Sequence, residues 1–130
     1  MAGPLTVHDL LTEVRRELDR VEPAEAASAI SAGAVLVDIR SELQRERDGV
    51  VSGSVFFPRN VLEWRCDPAS EWRDERVSDP SRRLIVMCDE GYQSSLAAAT
   101  LQQLGFAGAT DLVGGFQAWR GAGLAVAPPP

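Results

Sequence analysis

The sequence predicts an α/β domain built on an open, mainly parallel sheet of about five strands with helices on both faces, preceded by a helical extension. Short apolar runs rich in Val, Leu and Ile recur along the chain, continuous instead of alternating, as strands buried on both faces require. Stretches with helical spacing lie between them, and the connections are short.

In order along the chain, residues 6–20 place Val7, Leu10, Leu11, Val14 and Leu18 at three- and four-residue spacing among charges. This predicts an amphipathic helix that caps the domain from outside. Pro23, in Glu22-Pro23-Ala24-Glu25, suits a first helical position and starts a second helix that runs through alanine-rich sequence to Gly33. Residues 34–39 form the first predicted strand and residues 53–58 the second. The stretch 60–83, with Trp64, Trp72 and several charges, fits either a short helix pair or an ordered loop, expected to cover the neighbourhood of the reactive loop described below. A third strand over residues 84–87 ends in Cys88, and an Ala/Leu helix follows from about 94 to 104, stopped by Gly105. Residues 110–113 form a weak last strand. Gly114-Gly115 then leads into a short helix whose Phe116 and Trp119 belong to the core, and Pro128 to Pro130 form a tail. The expected organisation is an extension over residues 1–20 and one domain over 21–127, with no internal repeat.

Composition narrows the function. At 130 residues and 45% hydrophobic content the chain holds one core. Nineteen acidic against 13 basic residues give a net charge of −6, which works against nucleic acid as a partner. Every basic residue is arginine, so lysine Schiff-base chemistry and a lysine phosphate loop are excluded. The missing lysine, beside abundant alanine, points to a GC-rich bacterial genome. Residues 1–18 carry charges throughout, so neither a signal peptide nor a membrane span is expected, and a cytoplasmic location follows. The two cysteines, Cys66 and Cys88, are expected as thiols, and one histidine without a C-x-x-C pair gives too few ligands for a metal.

The informative stretch is Leu84-Ile-Val-Met-Cys88-Asp-Glu-Gly-Tyr-Gln-Ser-Ser-Leu96. Open parallel sheets bind ligands beyond the carboxyl ends of their strands, and Cys88 falls at such an end, facing the N-terminus of the next helix. Loop amides and the helix dipole favour a thiolate there. Gly91 lets the loop curl with a positive φ. A lone cysteine after an apolar run is in general a small buried hydrophobe. Here the turn, with its central glycine and with Ser94 and Ser95 available as caps, directs the sulfur toward amides.

Cys88-x-x-Gly91-x-Gln93-Ser94 resembles the active loop of the rhodanese family, whose usual form is C-x-x-G-x-R-S. Leu36-Val-Asp38-Ile-Arg40 resembles the family's V-D-x-R strand end, and Gly49-Val-Val-Ser-Gly53-Ser-Val55 its G-H-I-P-G-A element. Gly114-Gly-Phe-Gln-Ala-Trp119 matches the closing G-G-x-x-x-W, so the likeness spans residues 21–124. The resemblance implies a thiosulfate or persulfide sulfurtransferase without a cofactor, whose cysteine takes the outer sulfur of a donor as a persulfide and passes it to cyanide or a thiol. It implies Cys88 as the catalytic residue and Asp89, Glu90, Gly91, Tyr92, Gln93 and Ser94 as the substrate-binding loop. Asp38 and Arg40 are expected as supporting residues, more structural than catalytic, forming a strand-end ion pair or turn cap. The expected partner is a small sulfur donor or a protein persulfide, and the expected state a monomer or weak homodimer.

The sequence also departs from the family. Gln93 stands where an arginine is usual, and Val50 and Ser52 replace the histidine and proline. A charge that would favour the thiolate and attract an anionic donor is missing. Asp89 and Glu90 oppose both, each by on the order of 1 kcal/mol near a surface. Poor activity with thiosulfate is therefore expected, with a neutral or protein-borne donor preferred. The competing reading is a non-catalytic binding or regulatory module in which the cysteine is incidental. A phosphatase needs C-x5-R, and the residue six after Cys88 is Ser94. Ser94 is expected either to bond a bound sulfur species or to cap the helix. Cys66 either resolves the persulfide as a disulfide or is simply packed. His8 is expected on the surface.

Overall fold

In the computed structural model, which describes residues 3–130, four strands pair as one parallel sheet: β1 (Val35–Asp38), β2 (Val55–Phe56), β3 (Leu84–Met87) and β4 (Thr110–Asp111). The order is β2-β1-β3-β4, with Val37 opposite Val86 at the centre. Every residue of β1 and β3 is buried, which explains why their sequence, apart from Asp38 at the end of β1, is apolar without alternation.

About five strands are expected from the sequence, and four form. The fifth place is held by a single parallel bridge between Val21 and Leu112, in which Val21 N–H donates to the Asp111 carbonyl at 3.1 Å and Val113 N–H to that of Val21 at 2.9 Å. It cannot lengthen, because Pro23, which has no N–H, begins the next helix.

The first helix, α1 (Val7–Arg15), is shorter than the predicted 6–20, and residues 1 and 2 of the predicted extension lie outside the described residues. Thr6 and Asp9 close a reciprocal capping box at its start. Beyond Arg15 the chain turns inward so that Leu18 and Val21 join the core. Helix α2 (Pro23–Ser31) starts at Pro23 as expected. Helix α3 (Glu42–Asp48) has no counterpart in the sequence reading, although its capping box, Ser41 with Gln44, is legible. The uncertain stretch holds a 3-10 turn at Arg59–Val61 and one short helix, α4 (Leu62–Cys66), followed by turns up to β3. Helices α5 (Gln93–Gln103) and α6 (Gly115–Gly121) complete the chain.

Alternate residues of each strand face two apolar clusters. Val35, Val37, Val86 and Cys88 meet Leu18, Leu62, Cys66, Leu101 and Phe106 on one side. Leu36, Ile85 and Met87 meet Ala26, Phe116 and Trp119 on the other. Helices therefore cover both faces, and the two central strands β1 and β3 end side by side, Asp38 opposite Met87, with Cys88 just beyond. Among the described residues no helix is long and apolar enough to cross a membrane.

Candidate active site

Cys88 sits at the floor of a cavity of about 400 Å³ walled by Asp89, Glu90, Tyr92 and Gln93 of its own loop and by Ile39, Arg40 and Gln44 from the end of β1 and the start of α3. Its sulfur accepts hydrogen bonds from the N–H of Gly91 at 3.2 Å and of Ser94 at 3.4 Å. The residue is only 6% exposed, so the sulfur is recessed and reached through the cavity.

The loop keeps this shape because α6 holds it from below. Phe116 N–H donates to the Cys88 carbonyl at 2.9 Å, and Gln117 N–H to that of Asp89 at 3.1 Å. The approach is so close that a Cβ at Gly115, where φ is 60°, would run into both of those carbonyl oxygens. Gly91, at φ 89°, would likewise put a Cβ 2.7 Å from the Gly114 nitrogen. Gly91 and Gly115 are thus required where the loop backbone packs against the closing motif.

A second set of groups lies behind the loop. Buried Asp111 accepts from the hydroxyls of Ser94 at 2.7 Å and Ser95 at 2.8 Å, and from Nε of Arg20 at 2.8 Å. Arg15 and Arg20 both donate to the Gly91 carbonyl, at 2.8 and 3.0 Å, and Arg15 Nε reaches the Ser95 hydroxyl at 3.0 Å. Ser94 therefore does not use its hydroxyl as the expected helix cap. Its backbone N–H meets the sulfur, and its side chain is taken by Asp111. Arg15, Arg20 and Asp111 escape sequence reasoning: the arginines look like the solvated face of an amphipathic helix, and the only signal from Asp111 is a charge inside a weak apolar strand.

Asp38 and Arg40 make both the ion pair and the turn cap. Arg40 donates from Nε and from a terminal nitrogen to the two carboxylate oxygens at 3.1 and 2.9 Å, and its backbone N–H bonds Asp38 at 3.0 Å. Arg40 also donates to the Gly49 carbonyl at 2.8 Å, and its guanidinium lies 3.8 Å from the centre of the Phe116 ring. Breaking such a buried pair costs about 3–5 kcal/mol, which suits a support for the cavity wall.

The loop charges are unevenly placed. Asp89 is turned toward Gln117, which donates at 3.0 Å, and Arg47, 3.7 Å away. Beside it the Arg47 guanidinium holds the Asp48 carboxyl well below the usual carboxylate range. Glu90 is exposed. Gln93 accepts from Arg59 Nε at 3.2 Å, but that guanidinium is also held by Glu63 at 2.7 Å. Cys66 is fully buried and free, and burial, aided by the charges of Glu63 and Asp74, pushes its thiol up to about 12. His8 is exposed.

A family model, the rhodanese-like domain, matches residues 22–122. The chain belongs to the rhodanese-like domain family. Among its rhodanese-like relatives, the thiosulfate sulfurtransferase GlpE of Stutzerimonas stutzeri is 35% identical over 104 residues, 80% of this chain and 86% of that protein. Relatives of this kind support sulfurtransferase activity as the class of chemistry. Among solved structures, a Rhodopseudomonas palustris protein of unknown function, described as a possible tyrosine phosphatase, superposes with a TM-score of 0.86 at 31% identity. It covers 97% of this chain and 98% of its own, so the match takes in the segment ahead of residue 22 that the family model leaves out. A thiosulfate sulfurtransferase from Pseudomonas aeruginosa shares the fold, with a TM-score of 0.68 at 21% identity over 87% of this chain and 21% of that one. In this chain the loop from Cys88 to Ser94 carries no arginine to hold phosphoryl oxygens.

Proposed function

We propose that this rhodanese-like chain is a sulfurtransferase that carries a sulfane sulfur as a persulfide on Cys88. The observation that supports it most directly is the pair of main-chain N–H donors aimed at a cysteine sulfur on the floor of an open cavity. The Cys88 thiolate attacks the outer sulfur of a donor such as thiosulfate. A new S–S bond forms, the donor's own S–S bond breaks, and sulfite leaves with the electron pair. An acceptor thiolate then attacks the outer sulfur of the persulfide, taking it and returning the electron pair to Cys88 as thiolate. The Gly91 and Ser94 amides point at Cys88 Sγ. They stabilise its charge as the attacking thiolate of the first step and as the leaving thiolate of the second, while in the persulfide between the two steps the charge sits on the outer sulfur. Such preorganised donors are worth a few kcal/mol each.

Thiosulfate is a poor donor in this reading. Gln93 brings no charge to the cavity wall, Arg59 beside it is engaged by Glu63, and exposed Glu90 repels a dianion. A neutral or protein-borne persulfide avoids that repulsion. Of the two loop carboxylates only Glu90 acts fully, since Asp89 is turned to Gln117 and Arg47.

Incubation with a sulfane-sulfur donor followed by intact mass spectrometry tests the reading. One added sulfur is expected on the native chain and none on Cys88→Ser. Gln93→Arg should raise kcat/KM for thiosulfate about tenfold, the effect of one added charge near the reacting anion. Fast native turnover of thiosulfate, unimproved by Gln93→Arg, would overturn the electrostatic part. The alternative of a non-catalytic binding module draws on the missing loop arginine, and it wins if no donor loads Cys88.

A further inference from the structure

We propose that Arg15 and Arg20, from the segment ahead of the family domain, are positioning residues that hold the Cys88 sulfur cradle in shape, with Asp111 as their buried anchor. This deepens the sulfur-transfer reading and rests on it.

The argument begins with Gly91, which supplies one of the two N–H groups on the sulfur. At φ 89° it has no side chain to pack, so its carbonyl is its one handle besides the contact with Gly114. Both guanidiniums take that carbonyl, at 2.8 and 3.0 Å, filling its two lone pairs with charged donors. The second N–H on the sulfur comes from Ser94, whose hydroxyl is tied to Asp111. Arg20 closes on Asp111 through Nε at 2.8 Å and a terminal nitrogen at 3.1 Å. Ser95 completes the ring, donating to Asp111 and accepting from Arg15. Both amides of the cradle are thus fixed from behind by one connected set of charged hydrogen bonds, and α1 and the turn after it are the parts that bring the guanidiniums there. Two guanidiniums against one carboxylate also leave a net positive charge behind a loop whose own Gln93 is neutral.

Two variants of the full chain, Arg15→Met and Arg20→Lys, test this by two readouts: the rate of sulfur loading of Cys88 by thiosulfate, and amide hydrogen exchange at Gly91 and Ser94 against Val37 and Val86 of the sheet. Arg15→Met keeps the aliphatic packing and removes both hydrogen bonds. It should slow loading about tenfold, in kcat more than in KM, and speed exchange at Gly91 and Ser94 while the sheet amides keep their protection. Arg20→Lys keeps a cation beside Asp111 and should show a smaller loss of the same kind. Folded variants that load at the native rate with native exchange at both loop amides overturn the proposal. So does exchange that rises equally in loop and sheet, or an Arg15→Met chain that fails to fold, for then the arginine holds the domain and not the loop. Should the native chain itself accept no sulfur, the sulfur-transfer reading falls, and the exchange at Gly91 and Ser94 still decides whether the brace exists.

Discussion

Cys88 and Cys66 are both free thiols, both buried, and both lie in the apolar cluster on the same side of the sheet. They differ in what surrounds the sulfur. Cys88, just past a parallel strand, has two amides on its sulfur and a cavity above it. Cys66, at the end of α4, has apolar neighbours and two carboxylates near enough to disfavour its anion. Fractional exposure, 6% against 0%, barely separates them. The lesson is that donors and a path to solvent, more than exposure, distinguish a thiol placed for chemistry from one that fills the core.

Alkylation tests this contrast most directly. With iodoacetamide at neutral to mildly alkaline pH, the native chain should be labelled on Cys88, and Cys66 should react at least about 10³-fold more slowly, because it waits for an opening that costs several kcal/mol. In denaturant the two should react alike. Comparable rates in the folded chain would break the comparison, and peptide mapping after timed quenching reads both.

Next in size is the support of the Cys88 loop. Gly115→Ala places a methyl against the Cys88 and Asp89 carbonyls at a φ that L-residues rarely adopt. It should cost about 1–3 kcal/mol of stability by urea titration and reduce sulfur loading of Cys88, with no gain in Cys66 labelling. A variant with native stability and native loading would show that the loop does not depend on this contact.

How far these features were legible follows from how local they are. Strand β3 matches the predicted 84–87 residue for residue, since its apolar run is bounded by Arg83 and by the loop. The reactive loop is equally local, with cysteine, glycine and serine inside one turn. The four apolar runs named from sequence each become a strand, whereas no run marks the fifth of the expected count, whose place is taken by the single Val21–Leu112 bridge. Helix α3 carries a readable start, Ser41-x-x-Gln44, but all of its residues stay outside the core, so no apolar stripe announces it. The brace is the least legible feature. Arg15 and Gly91 are 76 positions apart, and only the docking of α1 on α5 brings them together. The partner of the Ser94 hydroxyl is hidden for the same reason: the residue's helix-start position is visible in sequence, whereas Asp111 lies on β4.

The smallest expected effect concerns Cys66 and the alkaline limb of stability. Its thiol is raised from 9.0 to about 12, first by burial and then by Glu63 and Asp74. Below pH 9 the thiol is protonated in folded and unfolded chains alike and adds no pH dependence. Between 9 and about 12 the unfolded chain gives up that proton while the folded chain keeps it, so the unfolded state is favoured and stability falls as pH rises. Urea titrations from about pH 8 to about pH 11 should therefore show a shallower alkaline loss in Cys66→Ala than in the native chain, even though the variant starts less stable because of the space it leaves. Parallel curves would mean that the Cys66 thiol titrates in the folded state as it does in the unfolded one, removing the electrostatic half of the contrast with Cys88. Asp74→Asn sharpens the point: burial is the first cause, so most of the slope should survive the loss of that carboxylate.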